Sequence, residues 1–344
     1  MQALRIHEHG GPEVLRVEEV PAPEPGPGEV LVRVLAVSLN HLDLWVRRGM
    51  PGVTIPFPRT LGCDGTGEVV ALGPGTSGLA LGQRVVIEPG ISSGASRHDL
   101  EGNDHLSDDY GIRGEHCDGL DCEFVALPAR FVFPLPEGLD PLQAASAPLT
   151  FLTAWAMVFQ RARVQPGETV LVLGGASGVG SAAIQMCREI GARVITTGGS
   201  EAKRALCLEL GAEDALDPGR PGWDKELRRL TQGRGVGVVV EHVGPATWDA
   251  SLRALARNGR LVTCGSTTGP KVSLTLPHLF IKNLSVLGST MGPRKALPEI
   301  MRRLADGRWR TAVDRVLPLS CARAAHEALE ARAVVGKIVL VPGE

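Results

Sequence analysis

The chain has 344 residues, 43% of them hydrophobic and 22% charged, and its formal net charge at pH 7 is −2. This composition is that of a globular protein with room for two domains. It excludes a disordered chain and any general attraction to nucleic acid or a membrane surface. No apolar run is long enough to cross a bilayer, and the first residues carry no signal-peptide core. The seven cysteines include no pair separated by two residues, so we expect reduced thiols and a cytoplasmic protein.

The first 150 residues contain short, valine-rich runs bounded by glycine and proline, such as GEVLVRVLAVSLN and GQRVVIEPG. Runs of this kind predict an all-β, barrel-like unit. From about residue 167, strand-like segments alternate with helical ones, which predicts a parallel sheet covered by helices on both faces. The last fifty residues predict a helix with Ser320 as its N-cap and one closing strand in VVGKIVLVPGE.

Four polar residues within the first part stand at the spacing expected of a four-thiolate metal loop. They are Ser93, Ser96, Asp99 and Ser107. A hydroxyl is a poor zinc ligand and one carboxylate cannot replace four thiolates, so we predict that no structural zinc is bound. Nearby side chains leave a different metal site open as an alternative: His98, His105, His116, Cys117 and Cys122.

A glycine-rich turn follows the first strand of the alternating region, in VLVLGGASGVGSAAIQ. The turn reads Gly175, Ala176, Ser177, Gly178, Val179, Gly180. A strand, a glycine turn and a helix in this order place a dinucleotide pyrophosphate at the helix N-terminus. Ser177 occupies the middle glycine position, where its hydroxyl can add a contact to the phosphates. The alternative is a tight strand–helix turn without a ligand.

The next strand, in VITTGGSEAKR, does not end on the Asp or Glu that would bind the ribose of NAD. Ser200 and Lys203 follow it, with Arg204 beside them. A hydroxyl and cationic groups bind a 2′-phosphate, so these residues predict NADPH as the cofactor. The alternative is that Lys203 and Arg204 form only the solvated face of the following helix.

Over essentially its full length, the chain resembles the medium-chain dehydrogenase/reductase superfamily. The segments that carry the resemblance are GGPEVLRVEEVPAPEPGPGEVLVRV, LGCDGTGEVVALGPG, PLTFLTAW, GGASGVGSAAIQ, GSTMG and VVGKIVL. The resemblance implies an α/β fold with a GroES-like β-barrel catalytic domain over residues 1–148, including a vestigial zinc lobe over 89–118. It also implies a Rossmann domain, a doubly wound parallel sheet, over 149–292, and a return to the catalytic domain over 293–344. The active site is expected in the cleft between the two domains.

The same resemblance shows which metal ligands are missing. Asn40 stands where zinc-dependent members have a cysteine ligand, Cys63 and Asp64 stand where they have His and Glu, and Leu149 fills the remaining cysteine position. We therefore predict no catalytic metal. The segments SLNHLDLW and GCDG are similar to the zinc-free quinone oxidoreductase branch, which uses NADPH. An alcohol or aldehyde dehydrogenase with a non-standard zinc site is the alternative.

Without a Lewis acid, the chemistry that remains is hydride delivery to an acceptor that is already electrophilic. The resemblance thus predicts an enzyme that uses NADPH to reduce a quinone or a C=C bond conjugated to a carbonyl. A second alternative is an NADPH-binding sensor with little turnover. The predicted partners are a small-molecule substrate and further copies of the chain, in a homodimer or homotetramer formed through the edge strand in NLSVLGSTM.

The predicted catalytic residues are Asn40, Cys63 and Asp64. The Asn40 amide would donate to the acceptor oxygen or hold the nicotinamide ribose, although an asparagine that only ends a strand is the alternative. Asp64 is expected to order the cleft through hydrogen bonds. Tyr110, the only tyrosine, would act as a proton donor only if its loop folds back over the cleft. Outside the glycine turn and the 2′-phosphate site, the resemblance implies cofactor contacts from His41, Thr153, Val243, Gly265 and Ser266.

Overall fold

A computed structural model of the chain describes residues 1–343, which divide into two compact units. One unit contains Met1–Leu149 and the segment that begins at Pro293, and the other contains Thr150–Gly292. The second unit therefore begins one residue after the predicted boundary at 149. The predicted α/β fold class is confirmed: a β-rich unit is interrupted by a unit built on a parallel sheet.

Short strands dominate the chain before the second unit. They are β1 (Gln2–Ile6), β2 (Arg16–Glu19), β3 (Glu29–Ser38), β4 (Arg59–Thr60), β5 (Asp64–Leu72), β6 (Arg84–Ile87), β7 (Gly90–Ile91), β8 (Gly111–Ile112), β9 (Phe124–Pro128) and β10 (Val132–Pro134). The helices between them are α1 (His41–Arg48), α2 (Arg97–Leu100) and α3 (Pro141–Ala145).

Helices and strands then alternate. They are α4 (Pro148–Trp155), β11 (Thr169–Val172), α5 (Gly178–Ile190), β12 (Arg193–Thr197), α6 (Glu201–Glu209), β13 (Asp214–Leu216), α7 (Trp223–Leu230), β14 (Val236–Glu241), α8 (Pro245–Ala254), β15 (Leu255–Thr263), α9 (Leu276–Lys282) and β16 (Ser285–Gly288). The chain closes with α10 (Leu297–Ala305), β17 (Val313–Pro318), α11 (Ala322–Glu330) and β18 (Lys337–Val341). A 3₁₀ turn over Leu319–Cys321 precedes α11, so the N-cap is Cys321 and not the predicted Ser320.

The main sheet of the first unit has the strand order β10-β6-β5-β3-β18-β17, and β9 also pairs with β3. The last strand of the chain, β18, runs antiparallel to β3 and pairs Val339 with Ser38. Valine and leucine side chains on the inner face of these strands form the core. This pairing brings the first residue of β18, Lys337, close to the end of β3.

The sheet of the second unit has the order β13-β12-β11-β14-β15-β16, and all neighbouring strands are parallel. The strand order reverses between β11 and β14. In such sheets a crevice opens at this switch point, outside the carboxyl ends of the strands, and ligands bind there. Within residues 1–343, no helix has both the length and the apolarity that a membrane span needs.

Candidate active site

The three predicted catalytic residues lie together at the end of β3. Asn40 is the N-cap of α1, and its Nδ2 donates to Asp64 Oδ2 at 2.9 Å and to the Ser38 carbonyl at 3.1 Å. The same nitrogen lies 3.4 Å from Cys63 Sγ. Antiparallel pairing of β3 with β5 places Ser38 opposite Asp64 and so brings these side chains together. Cys63 and Asp64 are fully buried, and Asn40 is 5% exposed.

A buried lysine that sequence reasoning missed completes this group. Lys337 Nζ donates to Asn40 Oδ1 at 2.6 Å and to the Leu39 carbonyl at 2.7 Å, and it lies 3.9 Å from Asp64 Oδ2. We call Asn40, Cys63, Asp64 and Lys337 the Asn40 cluster. The only indication of Lys337 in the sequence was a lysine at the start of an otherwise apolar strand, KIVLV. A buried cation of this kind needs a partner, because an unpaired buried charge is strongly unfavourable.

Burial is the largest influence on the pKa values of the titratable groups in the Asn40 cluster. It raises the pKa of the Asp64 carboxyl and lowers the pKa of the Lys337 ammonium, while the attraction between the two groups opposes both shifts. Burial, reinforced by the Asp64 charge, also raises the pKa of the Cys63 thiol well above its usual value. Cys63 is therefore a neutral thiol, which is neither a good nucleophile nor a good metal ligand.

Asp43 holds the cluster in place from α1. Its carboxylate accepts hydrogen bonds from the Asn40 backbone N–H at 2.7 Å and from the Gly62 N–H at 3.2 Å. Burial raises the pKa of Asp43 to about 6, with the Asn40 N–H and Lys337 opposing that rise. Gly62 has φ +91, and a side chain there would meet Asp121 Oδ1 at 2.2 Å. Asp43 thus orders the backbone on both sides of the site.

The hydrogen bonds of the Asn40 cluster are already made within the protein. The Asn40 side-chain N–H groups donate to oxygens of Asp64 and Ser38, and the Asn40 side-chain oxygen accepts from Lys337. Asp64 Oδ1 accepts a further bond from the Leu149 N–H at 2.7 Å. An external acceptor must therefore compete with an internal one to reach the Asn40 amide. His41, the first residue of α1, is partly exposed beside this group.

The predicted glycine turn adopts the geometry of a phosphate-binding turn. Ser177 is the N-cap of α5, and its Oγ accepts from the Gly180 N–H at 3.0 Å. A side chain at Gly175 would come within 2.1 Å of Thr196 Oγ1, and one at Gly180 within 2.4 Å of the Gly174 carbonyl oxygen. The backbone therefore closes tightly at these positions. The first N–H groups of α5, from Gly178 and Val179, have no acceptor within the helix and suit an anion.

Other predicted cofactor residues lie at the carboxyl ends of the adjacent strands β14 and β15. The Val243 N–H donates to Glu241 Oε1 at 2.6 Å, and the Val243 carbonyl accepts from Thr268 Oγ1 at 2.7 Å. A side chain at Gly265 would lie 3.3 Å from the His242 carbonyl oxygen. Ser266 follows in the same loop and is exposed. These residues line the same edge of the sheet as the glycine turn.

Sequence reasoning missed His242, which faces the glycine turn across the switch point. Its Nε2 lies 3.4 Å from Ser177 Oγ, and a side chain at Gly174 would lie 3.1 Å from its Cε1. Burial lowers the pKa of His242, against the opposing charge of Glu241, so the imidazole is neutral. The predicted contact Thr153 is on α4, with its Oγ1 3.9 Å from Met291 Sδ.

The predicted 2′-phosphate site lies just after β12. Ser200 is exposed and caps α6, its Oγ accepting from the Lys203 N–H at 3.3 Å. The neighbouring Gly199 has open space on its side-chain side, with nothing within 4 Å. Arg204 is tied to the turn, because it donates to the Gly198 carbonyl at 2.9 Å and lies 3.4 Å from Asp217 Oδ2. A hydroxyl, a helix N-terminus and a lysine around open space fit a phosphate.

The lobe over residues 89–118 is held by hydroxyl and N–H groups around two carboxylates, Asp99 and Asp109, the second of which accepts from Ser107 Oγ at 2.6 Å and from the Ser93 N–H at 2.9 Å. Asp99 accepts from Ser92 Oγ at 2.6 Å, from the Ser96 N–H at 3.0 Å and from Ser107 Oγ at 3.1 Å. Ser107 Oγ also contacts Ser96 Oγ at 2.6 Å. Burial alone would raise the pKa of Asp99, but these donors lower it to about 2. We call Ser92, Ser96, Asp99 and Ser107 the Asp99 cluster.

Neither cluster is a conventional metal site. Among residues 1–343, no three or more His, Cys, Asp or Glu side chains are placed to hold a metal ion. The donors around Asp99 are hydroxyl and N–H groups, and the donors around Asn40 include an ammonium, which a bound cation would repel. The absence of zinc remains a prediction.

Together, a Rossmann-type sheet with a phosphate turn and a β-rich unit with a buried polar site define a class of nicotinamide-dependent oxidoreductases. Comparison with known protein families supports this class. The family Alcohol dehydrogenase GroES-like domain matches residues 26–137, and the family Zinc-binding dehydrogenase matches residues 178–306.

The chain is also similar to individual proteins over its full length. It is 32% identical to a quinone oxidoreductase of Pseudomonas aeruginosa, with 98% of this chain and 99% of that protein covered. It is 30% identical to an NAD-dependent alcohol dehydrogenase of Sulfolobus acidocaldarius, with 99% of each chain covered. A crystal structure described as an NAD-dependent alcohol dehydrogenase is 46% identical, with a TM-score of 0.96 and 100% of both chains covered. The chain belongs to the medium-chain dehydrogenase/reductase superfamily, is similar to its quinone oxidoreductases, and is an oxidoreductase whose family binds NAD(P).

Proposed function

We propose that this protein uses NADPH to reduce a quinone or a C=C bond conjugated to a carbonyl, without zinc. The observation that carries this proposal is the Asn40 cluster. The side chains at the family's catalytic zinc positions are an amide, a neutral thiol and a carboxylate, and the amide and the carboxylate are engaged by Lys337. A quinone or an enone is electrophilic enough to accept hydride when only hydrogen-bond donors stabilise the resulting oxyanion.

The chain's own residues then supply positioning and charge. Bound NADPH supplies the hydride. Lys337 polarises the Asn40 amide through its 2.6 Å hydrogen bond to Oδ1, which strengthens Nδ2 as a donor. An acceptor oxygen that reaches Nδ2 competes with the Ser38 carbonyl, which makes the longer of the two amide bonds, 3.1 Å against 2.9 Å to Asp64. Asp64 holds the Asn40 amide through Nδ2, and Asp43 holds the Asn40 backbone N–H.

The test is a panel of quinones, enones and primary alcohols, followed by NADPH or NADH absorbance before and after treatment with a chelator. We expect oxidation of NADPH by quinones or enones that survives chelation. Cofactor binding without turnover would favour a sensor and contradict the proposal. Alcohol oxidation that chelation abolishes would also contradict it.

That last outcome is the second candidate function, an alcohol dehydrogenase. It is favoured by the 46% identical crystal structure, which is described as an NAD-dependent alcohol dehydrogenase. The quinone oxidoreductase of Pseudomonas aeruginosa, at 32% identity, supports the first candidate. The side chains of the Asn40 cluster favour the first candidate, because an alcohol needs a Lewis acid or a strong base to form its alkoxide.

We further propose that the cofactor is NADPH and that Lys203 contributes to that choice. A charge-assisted hydrogen bond from Lys203 to a 2′-phosphate contributes about 1.5–3 kcal/mol, or roughly tenfold to a hundredfold in affinity. Lys203→Ala should therefore raise the KM for NADPH by that factor and leave the KM for NADH nearly unchanged. Lys225→Ala is the matched control, since Lys225 is also the third residue of a helix, α7. Equal weakening of both cofactors, or a preference of the unaltered protein for NADH, would contradict this assignment.

A second copy of the chain is the proposed partner, bound at the free edge of the parallel sheet. The edge strand β16 and the preceding helix α9 expose apolar side chains, among them Leu276 (64% exposed), Phe280 (66%) and Ile281 (57%). Pairing two such edges would cover both this surface and the open backbone of β16. Light scattering at micromolar concentration should give a dimer or tetramer, and Phe280→Arg should weaken it. Leu208→Arg, at an exposed leucine on α6, is the control.

A further inference from the structure

The lobe loop folds back so that the chain's only tyrosine sits against the start of β7. Tyr110 immediately precedes β8, which pairs with β7 through Gly90 opposite Ile112 and Ile91 opposite Gly111. The phenol ring covers Gly90 so closely that a side chain there would lie 2.3 Å from Tyr110 Oη. A glycine at this position is what allows the ring to occupy this place.

This position lies near Cys63 of the Asn40 cluster. Ile112, two residues after Tyr110, packs against the apolar group that contains Leu42 and Cys63. Burial, followed by the charges of Glu88, Asp104 and Cys63, raises the pKa of Tyr110 well above its usual value, with Arg294 opposing. The phenol therefore keeps its proton at every pH at which the protein is expected to work.

Tyr110 differs from its neighbours in having a proton available. Within residues 1–343, its hydroxyl makes no hydrogen bond, its backbone N–H donates to the Ser107 carbonyl, and the residue is partly exposed. Cys63 and Asp64 are fully buried, and both carboxylate oxygens of Asp43 accept backbone N–H groups. Among these groups, Tyr110 alone combines partial exposure with a hydroxyl that no internal acceptor holds.

We propose that Tyr110 is the proton donor when the acceptor is a C=C bond conjugated to a carbonyl; this rests on the proposed function. The acceptor gains hydride at its β-carbon, and its π electrons move to the carbonyl oxygen as an enolate. The O–H bond of Tyr110 breaks as a C–H bond forms at the α-carbon, and the carbonyl is restored. The tyrosinate then takes a proton from water. The acceptor is reduced by two electrons, and the reduced nicotinamide is oxidised by two.

Reduction of a quinone does not need a positioned proton donor in the same way. Its product is a hydroquinone anion, whose oxygen is about as basic as a tyrosinate and takes its proton rapidly from water. An enolate carbon is far more basic than a tyrosinate but is protonated slowly by water, so it gains from a positioned acid. Loss of the Tyr110 proton should therefore separate the two acceptor classes.

The first test is Tyr110→Phe, which keeps the ring against Gly90 and removes only the hydroxyl. A positioned general acid contributes about 10²–10⁴-fold, so we expect kcat for an enone to fall at least about a hundredfold while kcat for a quinone changes less than about threefold. An unchanged enone kcat, or an equal loss with both acceptors, would overturn the proposal. An unaltered protein that reduces neither acceptor would instead refute the proposed function.

The second test uses the fact that the chain contains one tyrosine. Growth on 3-fluorotyrosine labels that position alone, and the fluorine lowers the phenol pKa with little change in shape. Binding of an enone should shift the fluorine resonance, because the proposed proton transfer brings the acceptor against the phenol. The more acidic phenol should also change kcat for an enone and leave kcat for a quinone nearly unchanged. A resonance that does not move when an enone binds would contradict the assignment.

Discussion

The Asp99 cluster and the Asn40 cluster lie where zinc-dependent relatives are expected to carry their two metals, and the polar groups of the two clusters are arranged differently. In the lobe, the partly exposed Asp99 carboxylate is surrounded by neutral donors, from Ser92, Ser96 and Ser107. At the end of β3, buried carboxylates share one buried ammonium. The Asp99 cluster holds the lobe through neutral donors, whereas the Asn40 cluster contains a positive charge beside Asn40 and Asp64. Removing one partner should therefore cost more in the Asn40 cluster.

The largest expected effect comes from restoring four thiolates to the lobe. Replacing Ser93, Ser96, Asp99 and Ser107 by cysteine should create a structural zinc site, since structural zinc contributes on the order of 10 kcal/mol. We expect one zinc per chain and a higher melting temperature by calorimetry in the presence of zinc. Cysteines at Asn40 and Leu149 are the contrasting variant, and we expect no zinc there, because Lys337 remains. Zinc bound to the variant with cysteines at Asn40 and Leu149, but not to the variant with four lobe cysteines, would contradict the expected difference between the two clusters.

Next in size is the loss of the buried ammonium. Lys337→Met keeps an unbranched side chain, one heavy atom shorter, but leaves Asp64 and Asp43 without their cation, which should lower the free energy of unfolding by about 3–5 kcal/mol. Urea unfolding measures this, with Lys225→Met as the control on an exposed lysine. Adding Asp64→Asn to Lys337→Met should recover part of the loss. A loss below about 1 kcal/mol would show that the pair contributes no more than a surface contact.

The Asp99 cluster should give the smallest effect and the clearest pH dependence. Its hydrogen bonds lower the pKa of Asp99 from 3.8 to about 2, so its ionised form stabilises the folded state above about pH 4, and this contribution disappears as the pH falls towards 2. After allowance for solvent screening, Asp99→Asn should lower the free energy of unfolding by about 1–2 kcal/mol at pH 7. Urea unfolding from pH 2 to 7 should show the variant and the unaltered protein converging at low pH. Asp108→Asn, at an exposed lobe residue, is the control, and a difference that persists unchanged at pH 2 would contradict the account.

The sequence predicted those parts of the site that depend on nearby residues. The glycine turn and the Ser177 cap lie within six positions of one another, and their geometry follows from local backbone requirements. Lys337 and His242 were missed because their contacts arise from strand pairing between distant segments. Lys337 reaches Asn40 only because the last strand of the chain returns beside β3. No spacing rule covers such a contact.

Tyr110 shows the same limit in a different way. From the sequence, Tyr110 was predicted to be a proton donor only if the lobe loop folds back. The pairing of β7 with β8, which places the ring over Gly90, is visible only in the structure. Conversely, the fold classes of the two units were predictable, because valine-rich runs and strand–helix alternation extend over many residues. A prediction from a long periodic pattern holds even when single positions depart from the pattern. The contact partner of one side chain depends on single positions and cannot be predicted in this way.

The central claim is that reduction of an electrophilic acceptor proceeds here without zinc, and metal content measured together with turnover tests it most directly. Protein purified without chelator should contain well below one zinc per chain by elemental analysis. The same sample should oxidise NADPH with a quinone or an enone at a rate that prolonged chelation does not change. One zinc per chain, with turnover that chelation abolishes and added zinc restores, would contradict the account.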